Sequence, residues 1–98
     1  MNNQENNVVI NLPEFPTGEN IPVEIAASIM NKDGMFIREG MKLGIIDIGT
    51  TFKKEGSNQY DFYISPLKFY LFTGYIYKGY DIEYQLMLDR KAKKKGNK

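Results

Sequence analysis

The sequence contains no cysteine and no histidine among its 98 residues. Without cysteine, the chain has no disulfide framework and no thiolate to offer a metal ion. Without histidine, it lacks the commonest general base, the commonest metal ligand and the base of every Ser-His or Cys-His nucleophile pair. These absences argue against a nucleophilic hydrolase and against a thiolate- or imidazole-ligated metal site.

Other catalytic patterns are missing as well. The acidic residues form no paired constellation suited to acid–base or two-metal chemistry. The glycines do not form the Gly-x-x-x-x-Gly-Lys-Ser/Thr loop that cradles phosphates. We therefore expect a protein that is not an enzyme and that carries no cofactor and no metal.

Long hydrophobic runs are absent too. No apolar stretch approaches the ~20 residues needed to span a bilayer, and the polar segment Met1–Asn7 does not resemble a signal peptide. We expect a cytoplasmic protein without a membrane partner.

Charge is distributed unevenly along the chain, although the net charge is only +1. Residues 1–31 contain four acidic and no basic residues, whereas residues 32–98 contain thirteen basic and eight acidic ones. This segregation favours an electrostatic footprint for nucleic acid on the C-terminal two-thirds. The alternative is that the last cations form a solvated tail without a function.

The pattern after Asn20 predicts two short helices. Pro22 suits the first turn of a helix, and a stripe of apolar residues follows at helical spacing: Ile25, Ala26, Ile29 and Met30. Asp33 is a good N-cap for a second helix over Met35–Leu43. In that helix we expect Phe36, Ile37 and Met41 to face inward, Gly40 to permit close packing, and Gly44 to end the helix.

After Gly44 the apolar period changes to two, which predicts a hairpin. Its strands are Ile45–Lys54 and Tyr60–Ile64, and its turn is Glu55–Gln59. The first strand has Ile46, Ile48, Thr50 and Phe52 on one side. Ser65 and Pro66 then begin a helix over Leu67–Phe72 that we expect in the core because it is nearly all apolar.

A last helix is predicted at about Tyr80–Lys94. It carries two apolar stripes, which together are wide for one buried face: Tyr80, Tyr84 and Met87 or Leu88, and Ile82 and Leu86. It packs either on the domain or on a partner subunit. We expect residues 1–19 to form a disordered or extended arm, in which Val8–Leu12 is a candidate edge strand. Residues 20–74 would form the domain, and residues 75–98 a C-terminal helix and basic tail.

The order of these elements resembles a family. Ala27, Asp33-Gly34, Ile37-Arg38-Glu39-Gly40, Gly44, Gly49 and Ile64-Ser65-Pro66 stand in sequence over residues 21–73. In this order the chain is similar to the small excisionase-type, MerR-like DNA-binding proteins of phages and integrative elements. The resemblance implies an α+β winged helix-turn-helix, with a two-helix helix-turn-helix, a β-hairpin wing and a short helix. The C-terminal helical extension is additional.

The resemblance also implies a second helix in the major groove of double-stranded DNA and a wing on the neighbouring backbone or minor groove. The protein would then be associated with the nucleoid when bound. The helix face would be Lys32, Met35, Arg38, Glu39 and Lys42, and the wing Lys53, Lys54, Ser57, Asn58 and Gln59. These are also the polar residues that remain once the apolar stripes are buried. Arg38 is the best candidate to contact a guanine edge, the alternatives being an intrahelical pair with a neighbour of Glu39 or a surface charge. A solvated hairpin tip is the alternative for the wing residues.

The C-terminal cations are Arg90, Lys91, Lys93, Lys94 and Lys95, with Lys98. They would add non-specific affinity for DNA phosphates; the alternative is a solvated end. Four nearby tyrosines suit core or dimer packing better than base stacking: Tyr75, Tyr77, Tyr80 and Tyr84.

The predicted function is sequence-specific DNA binding. By resemblance, the protein is an excisionase-like factor that sets the direction of recombination in a mobile element, with an integrase or recombinase as partner and pairing through the C-terminal helix. Transcriptional regulation by the same domain is an alternative. So is a phage or plasmid module that inhibits another protein without binding DNA. Convergence of Lys32, Arg38, Lys42, Lys53 and Lys54 on one surface would favour DNA, and scattering would favour the protein module.

Overall fold

A computed structural model describes residues 11–96 of the protein, and the side chains of residues 11–94. The elements are α1 (Val23–Met30), α2 (Gly34–Lys42), β1 (Gly49–Lys53), β2 (Tyr60–Ile64), α3 (Pro66–Thr73) and α4 (Tyr80–Gly96). Over this range the protein is a small α+β unit with four helices and an antiparallel two-stranded hairpin. Its element order is consistent with a winged-helix-like layout.

Some predicted features lie outside the described residues. These are the disordered segment Met1–Asn7, residues 8–10 of the candidate edge strand, and the side chains of Lys95 and Lys98. Residues 11–19 contain neither helix nor strand. No helix within the described range is long and apolar enough to cross a membrane.

The two first helices form where the capping residues predict them. The Asp33 Oδ1 atom accepts a hydrogen bond from the Phe36 backbone N–H at 2.8 Å, which confirms the N-cap. Ile37 and Met41 are buried as expected, but the expectation that Phe36 faces inward is wrong, because 45% of it is exposed. Successive helical residues point about 100° apart, so a face centred on Ile37 and Met41 turns Phe36 outward.

Gly40 lets the chain fold back under α2. Its carbonyl oxygen accepts hydrogen bonds from the N–H groups of Ile45 and Ile46, at 2.9 and 3.0 Å. A Cβ atom at position 40 would overlap the Ile46 side chain. The expectation that this glycine permits close packing is therefore confirmed. Gly44 makes the reversal with a left-handed φ of 74°.

The hairpin runs in register from Gly49 opposite Ile64 to Lys53 opposite Tyr60. The second strand has its predicted bounds, but the first begins at Gly49 and not at Ile45. The expectation that Phe52 lies on a half-buried side is wrong, since Phe52 is 62% exposed. The buried apolar positions end at Ile48 on this strand and Ile64 on the other, so the far half of the hairpin extends beyond the core.

α3 has the predicted caps but not the predicted burial. The Ser65 Oγ atom accepts a hydrogen bond from the Lys68 backbone N–H at 3.2 Å, and Gly74 ends the helix with a φ of 80°. Only Pro66 and Phe69 are buried in this helix. The expectation that the whole helix sits in the core is wrong, because a helix packed on one side leaves its other faces open: Leu67, Leu71 and Phe72 are exposed.

α4 packs against α1, with Glu83 and Met87 on its buried face. Of the two predicted apolar stripes, only Met87 is buried; Tyr80 and Ile82 are about half exposed, and Leu86 is partly buried. The core lies between the helices and the base of the hairpin: Ile21, Ile25, Ala26, Ala27, Ile37, Met41, Ile46, Ile48, Ile64, Phe69, Tyr77 and Met87.

The segment before α1 is attached to the domain. The Ile21 N–H donates to the Ile64 carbonyl at 3.0 Å, and the Asn20 Oδ1 atom accepts from the Ile64 N–H at 2.7 Å. Further back, the Phe15 ring meets the Tyr70 ring edge-on, with centroids 5.7 Å apart. These contacts join the arm to β2 and α3.

Candidate nucleic-acid interface

The outward face of α2 is largely apolar. Met35 and Leu43 are 69% and 71% exposed, and Glu39 lies between them on the helix surface. Arg38 does not point away from the protein, because its Nη2 atom donates to the Glu24 Oε2 atom on α1 at 2.7 Å. The predicted base-contacting guanidinium is thus held along the side of the helix-turn-helix.

Three cations lie at the end of α2 and at the end of β1, and we call Lys42, Lys53 and Lys54 the hairpin cations. The Lys54 Nζ atom lies 4.0 Å from the Asp61 Oδ2 atom, so its charge is paired within the hairpin. The Lys42 Nζ atom lies 2.9 Å from the Glu39 carboxylate and 4.8 Å from the centroid of the Tyr60 ring. Lys53 pairs with Tyr60 across the hairpin, so Tyr60 connects the end of α2 to β1. The predicted wing residues Ser57, Asn58 and Gln59 occupy the hairpin turn.

Four cations gather at the opposite end of α2. They line a groove of about 340 Å³ between α1, the turn that precedes α2, and α4. We call this the turn groove, and its cations are Lys32, Arg90, Lys91 and Lys94. Ala27 and Met87 contribute apolar lining, and Glu24 and Asp33 are the acidic residues of the groove.

Both ends of the cationic segment of α4 are attached to α1. The Arg90 Nη1 atom donates to the Ser28 Oγ atom at 2.8 Å, and the Lys94 Nζ atom donates to the Asn31 Oδ1 atom at 3.2 Å. Asn31 itself adopts a left-handed conformation with a φ of 59°, which asparagine tolerates better than most residues. The predicted phosphate-contacting residues Arg90, Lys91 and Lys94 therefore line a defined groove.

A buried carboxylate holds α4 in this position, and the sequence-based prediction missed it. Glu83 is fully buried. Its Oε1 and Oε2 atoms lie 3.0 Å from the Tyr75 hydroxyl, and Oε2 accepts from the Lys78 backbone N–H at 2.9 Å. Arg90 approaches Oε1 to 3.9 Å. The spacing of Glu83, Met87 and Arg90 on one helix face was the available signal, but charged residues are rarely assigned to a core.

Tyr77 lies in the core beside this network. Burial raises the pKa of its hydroxyl above the ordinary value of 10.0, and the nearby carboxylates of Glu83 and Glu19 act in the same direction. Tyr77 confirms the expected core packing. Tyr80 and Tyr84 stack on each other at 5.5 Å on the exposed side of α4, so they are not core residues and their role in dimer packing stays a prediction.

The predicted contact residues do not converge on one surface, and by the criterion given above this separation favours the protein-interaction module. Lys32 lies in the turn groove, Lys42, Lys53 and Lys54 lie at the hairpin, and Arg38 between them is turned to Glu24. Lys93 is exposed on α4 outside the groove lining. Among the described residues, no group of three or more acidic side chains could hold a metal ion.

No protein-family model, no curated protein and no solved structure matches this chain. Function is therefore inferred from the charge and geometry at the two ends of α2.

Proposed function

We propose that this protein binds double-stranded DNA without catalysing a reaction, with α2 in the major groove and the β1–β2 hairpin as a wing. The observation that carries this proposal is the presence of cations at both ends of α2. The nine residues of α2 span about 13 Å at 1.5 Å per residue. A major groove is about 12 Å wide, so the two groups can contact the two backbones that border it.

The side chains between these groups suit a limited set of base contacts. Met35 and Leu43 are apolar and can pack on thymine methyl groups, while the Glu39 carboxylate can accept from a cytosine amino group. Arg38 is the strongest candidate for a guanine, but it must first leave Glu24. Exchange of an exposed ion pair costs little, since such pairs contribute about 0–1 kcal/mol.

The biological role that we propose is that of an excisionase-like recombination directionality factor of a mobile element. The resemblance of residues 21–73 to excisionase-type, MerR-like proteins supports it. A domain of this size contacts only a short site, so specificity needs a second copy or an integrase beside it. The exposed stripe Tyr80, Tyr84 and Leu88 on α4 offers a surface for that contact. A transcriptional regulator would use the same DNA-binding surface.

Two observations favour a protein-interaction module as a second candidate: the predicted cations do not converge on one surface, and the outward face of α2 is apolar. Met35, Leu43 and Ile45 are about 70% exposed, and large exposed apolar side chains near one another are typical of protein-binding surfaces. A phage or plasmid inhibitor that buries the outward face of α2 in another protein would explain these residues without DNA.

Fluorescence anisotropy on short duplexes tests the proposal. The duplexes tile the DNA that flanks the protein's own gene and are compared with a scrambled duplex at two salt concentrations. We expect tight, salt-sensitive binding to one tile, and the position of that tile at an attachment site or a promoter separates recombination from transcription. Absent or uniformly weak binding would contradict specific DNA recognition and favour the protein-interaction module.

A further inference from the structure

We propose that the turn groove is a phosphate clamp, in which Lys91 and Lys94 of α4 join Lys32 of the turn around one stretch of DNA backbone. The inference rests on the proposed DNA-binding function and adds a site to it. α4 would then be a part of the DNA-binding surface and not an appendage to it.

The first argument is convergence of charge from separate parts of the chain. Lys32 precedes α2, whereas Arg90, Lys91 and Lys94 come from α4, about 60 residues later. In the free protein, Glu24 in the groove lining is paired with Arg38, and the Asp33 carboxylate caps α2. When Arg38 turns to a guanine, Glu24 is left unpaired in the groove, so the clamp is strongest with the Arg38–Glu24 pair intact. Among the described residues, Lys32 and Lys91 form no ion pair, so their charges are not neutralised within the protein.

The second argument is that the groove is held in shape before any ligand arrives. Arg90 binds Ser28, and Lys94 binds Asn31, while Glu83 anchors the first turn of α4. Ordering of lysine side chains on binding costs conformational entropy. A groove whose backbone and partners are already fixed loses less of it than a solvated tail does.

The third argument selects the phosphodiester as the anion. The groove lies at the start of α2, and the hairpin cations lie at its end, with about 13 Å of helix between them. That separation is comparable with the ~12 Å width of the major groove. Backbone phosphates on its two borders would meet the two groups, whereas a carboxylate of a partner protein would need only one of them.

Neighbouring lysines of α4 provide a matched test. Lys91 and Lys94 line the groove, whereas Lys93 is exposed on the same helix outside it. The variants Lys91→Gln, Lys94→Gln and Lys93→Gln each remove one charge. They are compared on the best-bound duplex, with melting temperatures as a check on folding. We leave Arg90 unchanged because it also contacts Glu83.

For a clamp, we expect Lys91→Gln and Lys94→Gln each to weaken binding by about threefold to tenfold and to reduce the logarithmic salt slope by about 0.9. Lys93→Gln should change affinity by less than about twofold, since it loses only long-range attraction. Replacing one phosphate at a time by an uncharged methylphosphonate then locates the contact. At the clamped phosphate, the methylphosphonate and Lys91→Gln remove the same contact. Their losses of binding free energy should therefore not add.

The outcomes separate the two proposals. Equal losses for Lys91, Lys93 and Lys94 on a duplex that still binds would overturn the clamp and leave DNA binding intact. No binding to any duplex would overturn both. In that case, an NMR titration with inorganic phosphate follows the amide signals of Asn31 and Lys32. Saturable shifts that Lys91→Gln abolishes would assign the groove to a small free anion instead of DNA.

Discussion

The Glu83 carboxylate lies 3.0 Å from the Tyr75 hydroxyl through each of its oxygens, in a position with no exposed surface. Tyr75 belongs to the connection after α3, and Glu83 to the first turn of α4, so this contact joins two successive parts of the chain. Arg90 on the same face of α4 extends the network to Ser28 of α1. The orientation of α4, and with it the turn groove, depends on this buried carboxylate.

Replacement of Glu83 therefore destabilises the protein. Glu83→Gln exchanges charge-assisted hydrogen bonds for neutral ones, and we expect the free energy of unfolding to fall by about 1–3 kcal/mol. Glu83→Ala leaves Tyr75, Lys78 and Arg90 without their acceptor and should cost about 3–5 kcal/mol. Urea denaturation measures both. Asp89→Asn, an exposed change on the same helix, is the control and should stay within about 0.5 kcal/mol. Equal losses of stability in Glu83→Gln and Asp89→Asn would contradict the buried role of Glu83.

Tyr77 should make the protein sensitive to alkali. Its pKa in the folded state is raised above 10.0, chiefly by burial, so the folded state favours the neutral hydroxyl. Its stabilising contribution is complete below pH 10 and is lost as the pH rises through the folded-state pKa. We expect Tyr77→Phe to lose less stability than the wild type between about pH 9 and 11. Urea melts at several pH values measure this, and Tyr63→Phe, at an exposed position, should follow the wild type.

Two glycines should respond differently to alanine. At position 40 a Cβ would overlap the Ile46 side chain, and at position 49 it would overlap the Tyr63 backbone carbonyl. Alanine gains about 1 kcal/mol of helix propensity at position 40, but overpacking costs about 1–3 kcal/mol, so a net loss of about 1 kcal/mol is expected. Gly49→Ala must separate paired strands and should cost at least about 2 kcal/mol.

The control for these substitutions is Gly18→Ala, since a Cβ at that position meets nothing within 4 Å. Urea denaturation of the three variants gives the order of their free energies of unfolding. A Gly40→Ala protein more stable than the wild type would show that Ile46 repacks freely and that helix propensity decides the outcome.

Local sequence signals predicted the elements well. Asp33 and Ser65 accept the capping hydrogen bonds expected of them, and the strand Tyr60–Ile64 has its predicted bounds, because caps and strand alternation act over a few residues. Burial was predicted less well. Phe36 and Phe52 are apolar yet exposed, and Glu83 is charged yet buried, since burial depends on which distant elements meet.

In the candidate site too, local features could be predicted and long-range contacts could not. The residue types of a DNA-facing surface could be proposed from the chain alone, but not their grouping. Lys91 and Lys94 meet Lys32 only because α4 returns to α1, and Arg38 is turned aside by Glu24, which lies 14 residues earlier. Contacts of this range leave no periodic pattern in a single sequence.

The pair between Arg38 and Glu24 predicts opposite effects of two substitutions on DNA binding. Arg38→Ala should weaken specific binding by about 1–3 kcal/mol if the guanidinium contacts a base, with little change for a scrambled duplex. Glu24→Gln should strengthen specific binding, because Arg38 no longer has a partner to leave. Anisotropy titrations compare it with Glu14→Gln, which removes the same charge from the exposed arm. If Glu24→Gln and Glu14→Gln raise DNA affinity equally, the effect comes from net charge and not from the Arg38–Glu24 pair.

The hairpin cations should act on every duplex equally. Lys53 and Lys54 lie on β1 and at its end, beside a turn whose side chains are mostly exposed. We therefore expect them to contact phosphates and not bases. The double variant Lys53→Ala, Lys54→Ala should weaken specific and scrambled duplexes by similar factors and lower the logarithmic salt slope by about 1.8, or 0.9 for each lost contact.

Lys68→Ala is the control for this variant, because Lys68 is bound to Asp47 at 2.7 Å and belongs to neither cation group. Affinity measured at four or more salt concentrations gives the slope for each protein. A hairpin variant that loses preference for its best duplex, with an unchanged slope, would mean that the wing contacts bases. An effect no larger than that of Lys68→Ala would remove the hairpin from the DNA-binding surface. The apolar face of α2 would then favour a protein partner.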